Sequence, residues 1–201
     1  MLSKYNQIFI DFDGVICDSN GFKSANILGA ARKYTNEAEA VTFEKYFTGN
    51  NGIPRELKIH SYFSDVELAE NILDEYNRLN KSLLEAPLAK GVSEFVKKNA
   101  SKNLMVLSGG DFTEIKDFLK LHGLDTYFSA ILAGPLTKGE HLGRITIERP
   151  AVFIGDSIHD FEVSEDFGLD FIFMSGYTRV EDWDKFPFPE AVCKVENFES
   201  L

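Results

Sequence analysis

The chain has little of several things. It holds two cysteines, Cys17 and Cys193, without C-x-x-C spacing, which argues against a disulfide framework or a cysteine-based zinc site and fits reduced thiols in a cytoplasmic protein. No apolar run reaches the roughly 18 residues of a membrane span. The first apolar stretch is cut by Asp11 and Asp13 before it could serve as the hydrophobic region of a secretion signal. Basic residues are outnumbered, 21 Lys and Arg against 32 Asp and Glu, for a net charge of −11. Phosphate backbones and anionic lipid repel such a chain, so neither nucleic acid nor a membrane is an expected partner. An anionic ligand would need a local cluster of donors or a bound cation. His60, His122, His141 and His159 share no ligand spacing and read as surface or hydrogen-bonded side chains. There is no internal repeat and no low-complexity tract.

What is present suits a globular α/β protein. Across 201 residues, 44% are hydrophobic and 26% charged, enough for one domain or a core with an insert. Eighteen Phe with seven Tyr and one Trp are expected to fill two packed cores rather than form a stacking surface. Short apolar runs at Ile8–Ile10, Leu104–Leu107, Ala130–Ala133, Ala151–Ile154 and Phe171–Met174 read as buried parallel strands. Helical spacing before and after the second run (Val92, Phe95 and Val96; then Phe112, Ile115, Phe118 and Leu119, closed by Gly123) predicts a doubly wound parallel sheet. The interval from Ile10 to Leu104 far exceeds the dozen or so residues of a parallel crossover. Leu28–Tyr34, Phe43–Phe47, Leu57–Phe63 and the series Ala69, Ile72, Leu73, Tyr76, Leu79 and Leu83 have helical spacing within it. They predict a small all-helical cap over 16–86, with Pro87 at the return and the α/β core over 1–15 and 87–201. The segment around Trp183, Pro187 and Pro189 reads as a loop before a short strand over Val192–Val195.

The chemistry gathers at strand ends. Asp11-Phe12-Asp13-Gly14-Val15 directly follows the first run and brings two carboxylates to the edge where open α/β sheets bind ligands. Turn formation is the rival explanation. A calcium loop is not, because Val15 and Ile16 stand where that loop needs Asp or Asn and then Gly. Ser108-Gly109-Gly110 follows the second run and precedes a helix that Asp111 and Glu114 could cap as a pair, an arrangement suited to an anion. Gly155-Asp156-Ser157-Ile158-His159-Asp160 adds two carboxylates after a third run, and Lys138 supplies a cation, with Arg144 and Arg149 as competitors. Oxygen donors of this kind suit Mg²⁺.

In order and position these elements resemble the four motifs of the haloacid dehalogenase-like superfamily of phosphohydrolases: Asp11-Phe12-Asp13-Gly14-Val15, Ser108, Lys138, and Asp156 with Asp160. A helical insert between the first two motifs is similar to the cap of the phosphoglycolate phosphatase-like and β-phosphoglucomutase-like branch. One helix and one strand use up the interval from Ser108 to Lys138, leaving no room for a later cap. One departure is the segment from Gly139 to Pro150, where two glycines and the β-like Ile145-Thr146-Ile147 replace the clearer helix of relatives.

The resemblance implies a Rossmann-like core and a Mg²⁺-dependent phosphatase of small phosphorylated metabolites. Asp11 would be the nucleophile and Asp13 the acid that protonates the leaving oxygen and then activates water. Ser108, Gly109, Gly110 and Lys138 would hold the phosphoryl group. The metal would sit at Asp11, Asp13 through its backbone carbonyl, Asp156 and Asp160. Asp13 separates the chain from metal-free dehalogenases, which lack it. Asn20, Lys23 and Arg55 are the cap candidates for substrate contact. A phosphosugar mutase with the same core chemistry and a non-catalytic binding protein of the same fold are the alternatives. Both monomer and homodimer are open.

Overall fold

A computed structural model describes residues 2–185, 188 and 192–201. Six parallel strands form one sheet in the order β3-β2-β1-β4-β5-β6: β1 Gln7–Ile10, β2 Asn103–Asp111, β3 Ala130–Gly134, β4 Ala151–Gly155, β5 Asp170–Met174 and β6 Cys193–Val195. Ile8 pairs with Leu104 on one side and Val152 on the other, so β1 is buried along its whole length. Side chains alternate between faces with the period of two that strand geometry imposes. Ile8, Ile10, Leu104, Val106, Val152 and Ile154 join one cluster, while Phe9, Leu107, Phe153, Phe171 and Phe173 join another. Burial on both faces explains why these strands read as unbroken apolar runs.

The helices are α1 Asn20–Tyr34, α2 Glu37–Gly49, α3 Arg55–Tyr62, α4 Val66–Leu79, α5 Val92–Lys98, α6 Phe112–Leu121, α7 Lys138–Leu142 and α8 Ile158–Asp166. Helices α1 to α4 lie between β1 and β2 and close around their own cluster, in which the Phe43 ring packs 4.7 Å from Phe63 and 4.8 Å from Tyr62. The phenylalanines thus fill three cores rather than two: both faces of the sheet and the helical layer. Two short connections join that layer to the sheet. The Asp18 N–H donates to the Pro87 carbonyl and the Ala89 N–H to the Ile16 carbonyl, each at 2.9 Å. Ile16, Cys17 and Ala86 pack in the cluster under the sheet, not among the helices.

Other expectations shift in detail. Strand β2 runs on through Ser108, Gly109 and Gly110 with a register break before Asp111, so these residues form an irregular strand end instead of following the strand. Ile145-Thr146-Ile147 forms no strand, and Ile145 and Ile147 pack partly buried against the second sheet face. Helix α7 has only five residues. Leu83 lies in a 3-10 turn, Asn80–Glu85, beyond α4, and Trp183 in another, Trp183–Lys185. Pro187 and Pro189 lie outside the described residues. Among the described residues no helix is long and apolar enough to cross a membrane.

Candidate active site

The sheet order reverses between β1 and β4, and the ends of these two neighbouring strands form the crevice where such folds bind ligands. Asp11 follows β1 and Asp156 follows β4. The Asp11 N–H donates to the Ile154 carbonyl at 2.9 Å, continuing the ladder by one rung and locking the backbone of the first acid. Gly14 turns the chain at φ +74°, and a Cβ there would overlap Asp156 Oδ2 and Asn20 Nδ2. Gly14→Ala is therefore expected to displace the Asp156 carboxylate and cost roughly 1–3 kcal/mol. Thermal denaturation would read it as a lower Tm, and an unchanged Tm would contradict the packing.

Asp11, Asp156 and Asp160 are all buried, and one oxygen from each lies within 4.8 Å of the others, close enough to hold a metal ion. One cation stands against them. Lys138, the first residue of α7, is fully buried, with Nζ 3.0 Å from Asp11 Oδ1 and in contact with Asp160 Oδ1. A capping box of Thr137 and Glu140 fixes the start of this short helix. Asp160 is fixed in the same way, its Oδ2 accepting from the Ser157 N–H at 3.1 Å and Oγ at 2.7 Å. With both oxygens engaged, Asp160 positions Lys138, while Asp11 Oδ2 and Asp156 Oδ1 have no hydrogen-bond partner among the described residues.

The electrostatics follow from burial. Loss of solvent, the largest influence, pushes Asp11 up to about 7 against the pull of Lys138, with Asp160 and Asp13 adding to the rise. Burial together with the charges of Asp11 and Asp160 raises Asp156 well above the carboxylate range. Lys138 loses solvent too, but Asp11 and Asp160 outweigh this and hold it above the usual lysine value. Asp13 faces a different set of groups. Burial opposes its ionisation, yet Lys23, Ser19 and Arg55 outweigh that and keep it below the usual range. Ser19 Oγ donates to Asp13 Oδ1 at 2.6 Å, and Lys23 Nζ donates to Oδ2 at 2.5 Å.

Ser108 is buried at the end of β2, its Oγ accepting from the Gly110 N–H at 3.0 Å. A Cβ on Gly109 would overlap the Gly52 carbonyl, so the 49–53 loop rests directly on this strand end. Glu114 does not cap α6 as a pair with Asp111. Asp111 caps alone, accepting from the Thr113 and Glu114 N–H groups, and the Glu114 carboxylate grips Arg55 of α3, whose Nη1 donates to it at 2.8 Å and to Asn77 Oδ1 at 2.7 Å. Asn20, first in α1, donates to Asp156 Oδ2 at 3.0 Å and to the Tyr177 carbonyl at 2.8 Å. The three cap candidates thus border one cavity with Asp11, Asp13, Ser108, Gly109, Gly110 and Asp156.

Arg144 and Arg149 are elsewhere. Arg144 is exposed, and Arg149 donates to the Phe167 and Gly168 carbonyls. Of the histidines, His60 faces Glu70 and His141 Nε2 contacts the Ala133 carbonyl at 2.8 Å. His122 departs from expectation, because its buried Nε2 has no hydrogen-bond partner among the described residues.

Comparison with known proteins bears on this arrangement. The family model described as haloacid dehalogenase-like hydrolase matches residues 8–174. The chain belongs to this family. Among solved structures, a haloacid dehalogenase-like hydrolase of Bacteroides fragilis shares the fold with a TM-score of 0.78 at 17% identity, covering 98% of this chain and 100% of that one. CbbY from Rhodobacter sphaeroides, in complex with xylulose-(1,5)bisphosphate, gives 0.74 at 16% identity, covering 98% and 96%. A predicted phosphoglycolate phosphatase from Haemophilus somnus gives 0.68 at 16%, covering 87% of each. No curated protein matches in sequence.

Tyr76 and Lys58, which border the cavity of this haloacid dehalogenase-like chain, and Ser19, which lies behind Asp13, are not among the site residues expected from the sequence. Ser19 orients Asp13. Tyr76 is buried in α4, with the Arg55 guanidinium carbon 5.2 Å from its ring centre. Lys58 is buried in α3. Its position three residues after Arg55 was the available signal, because that spacing puts both on one helix face.

Proposed function

We propose that the protein is a Mg²⁺-dependent phosphatase acting on a small phosphorylated metabolite, with Asp11 as nucleophile. The observation that carries this reading is the pairing of two acids in opposed environments. Asp11 is wedged against Lys138 at the strand end, and Asp13, two residues on, is held by Lys23 and Ser19. Two carboxylates with different surroundings divide naturally into nucleophile and acid/base.

In this reading Asp11 attacks the phosphorus of the monoester and an aspartyl-phosphate forms. Asp13, ionised beside Lys23, takes a proton from the phosphate monoester monoanion and passes it to the departing alkoxide, then takes one from the water that cleaves the acyl phosphate and hands it to the released phosphate, returning Asp11. Lys138, Ser108 and the N–H groups of Gly109 and Gly110 offset the charge of the phosphoryl oxygens and keep donor and acceptor in line. The donor set fits a hard divalent cation. It consists of carboxylate oxygens, and three buried acids face one lysine. Asp11, Asp156 and the Asp13 carbonyl would hold Mg²⁺, with Asp160 behind Lys138, and the bound cation would reduce repulsion between the phosphate and the Asp11 carboxylate.

The helices over 16–86 act as a cap in this reading. The cavity beneath them is about 40 Å³, room for a few waters at the roughly 10–15 Å³ each needs in the same measure, so a larger substrate would need the helices to move. The match to CbbY, solved with a sugar bisphosphate, supports a phosphorylated substrate. The buried thiol of Cys17 agrees with a cytoplasmic setting.

Two experiments test this. Purified protein with Mg²⁺ is expected to hydrolyse members of a broad phosphoester panel that Asp11→Asn leaves intact, and a panel untouched by the wild type would end the proposal. Metal-free protein is also expected to lose stability as pH rises through about 7. The folded Asp11 binds its proton more tightly than the unfolded one, so its contribution is full below about 3.8 and gone above about 7. Mg²⁺ at a hundredfold over its Kd adds about 2.7 kcal/mol, or about 5–11 °C in Tm. The gain should be larger at pH 8 than at pH 5.5, and equal gains would contradict the carboxylate site.

A further inference from the structure

Asn20, the first residue of α1, is buried and its amide nitrogen is fully committed. It donates to Asp156 Oδ2 at 3.0 Å and to the Tyr177 carbonyl at 2.8 Å. A side-chain amide has two N–H donors, so none is left for a substrate. The second acceptor belongs to the loop after β5, and that loop is itself pinned. Thr178 Oγ1 donates to the Asp156 carbonyl and accepts from the Val180 N–H at 3.1 Å. The Tyr177 hydroxyl accepts from the Lys90 N–H at 3.3 Å, which ties the same loop to the segment returning from the helical layer. Gly14 leaves the room for this junction, since a Cβ there would overlap both Asn20 Nδ2 and Asp156 Oδ2.

These bonds decide which oxygens face the cation site. Asp156 gives Oδ2 to Asn20 and keeps Oδ1, while Asp11 gives Oδ1 to Lys138 at 3.0 Å and keeps Oδ2. Each acid therefore offers one oxygen. Mg²⁺ demands a tight octahedral shell, retains several waters and is content with single carboxylate oxygens, whereas Ca²⁺ fills a wider shell and often takes both oxygens of one carboxylate. Resting on the part of the proposed function that makes Asp11 and Asp156 a divalent-cation site, we propose that Asn20 is a positioning residue for Asp156 that selects Mg²⁺ over Ca²⁺. To present both oxygens, the Asp156 carboxylate must turn and release the Asn20 N–H, leaving that donor buried and unpaired, which is costly. Binding through Oδ1 alone requires no such turn.

Isothermal titration of the metal-free protein at pH 8, with MgCl₂ and separately with CaCl₂, compares the wild type with Asn20→Leu, Asn20→Ala, Thr178→Val and Thr178→Ser. The wild type is expected to bind Mg²⁺ more tightly than Ca²⁺. Loss of a group that orients a metal ligand typically costs about ten- to hundredfold in affinity, so both Asn20 variants should weaken Mg²⁺ by about that factor. Ca²⁺, now able to take both Asp156 oxygens, should hold its affinity or gain, moving the ratio of dissociation constants toward Ca²⁺ by tenfold or more. Thr178→Val keeps the shape but not the hydroxyl, and should move the ratio the same way by a smaller factor. Thr178→Ser keeps the hydroxyl and should leave the ratio at the wild-type value. A wild type that binds Ca²⁺ as tightly as Mg²⁺, or folded Asn20 variants that weaken both cations equally or neither, would overturn the inference. Should neither Asn20 variant fold, Thr178→Val decides, and a ratio equal to that of Thr178→Ser overturns it. The phosphatase reading is separable because no turnover is measured. A Mg²⁺-selective protein that hydrolyses no ester would sink that reading and leave this inference standing, while equal weakening of both cations in an active phosphatase would do the reverse.

Discussion

Asp11→Asn is expected to lower kcat on any phosphoester substrate by at least about 10⁴-fold, the scale seen when a covalent nucleophile is removed, and to do so without weakening the fold. The two halves of this expectation share a cause. Asp11 is 4% exposed, its carboxyl is pushed up to about 7 chiefly by burial, and at pH 8 its charge opposes folding. Asn keeps the shape and an acceptor for Lys138 but cannot act as a carboxylate nucleophile. At pH 8 without metal, the Tm of Asp11→Asn should equal or exceed that of the wild type, and the difference should shrink toward pH 6 as the wild-type carboxyl takes up its proton. Thermal melts at both pH values, beside initial rates, check this. A Tm falling in step with activity would show that Asp11 is needed for structure.

Lys138→Met should do the reverse and strike stability hardest. The ammonium is fully buried between Asp11 and Asp160, and no second cation contacts either acid in the structure described. Removing one partner of a buried pair typically costs 3–5 kcal/mol, because the other is left charged and dry. For a chain of this size that is about 6–20 °C in Tm. Adding Asp160→Asn should recover part of the loss, since it removes the acid that Lys138 contacts most closely. A double variant as unstable as Lys138→Met alone would show that the lysine acts through packing instead of charge.

Much of this was legible in the sequence because strand burial writes itself in apolar runs. Ile8–Ile10 and Ala151–Ile154 are covered on both faces, so their position, and with it that of Asp11 and Asp156 beyond them, could be read directly. Helices α1 to α4 were visible only in fragments. Their first turns, such as Asn20–Ser24 and Arg55–Lys58, face the cavity with polar and charged residues and so break the apolar spacing that marks a helix. The same masking hid Lys58, since a charge on a helix usually faces water. Burial there comes from α2 and the Phe47 ring, a tertiary fact with no local signature. The expected pairing of Glu114 with Asp111 failed for a related reason. A cross-layer partner, Arg55, competes for the carboxylate and wins with a charged contact over a backbone one. Gly109 and Gly110 read as lying beyond the second strand, because glycines end its apolar run, although a register break lets β2 carry them in strand form beneath the 49–53 loop.

The central claim is that Asp11 takes the phosphoryl group. An acid-quenched single turnover with a substrate found in the panel, followed by mass spectrometry of the peptide containing Asp11, tests it most directly. The expected result is one phosphoryl group on that peptide, located at Asp11, rising and then falling in the wild type, forming more slowly in Asp13→Asn because the alkoxide leaves without its acid, and absent in Asp11→Asn. Phosphate released at the wild-type rate with no phosphorylated peptide at any quench time, in either the wild type or Asp13→Asn, would contradict the account.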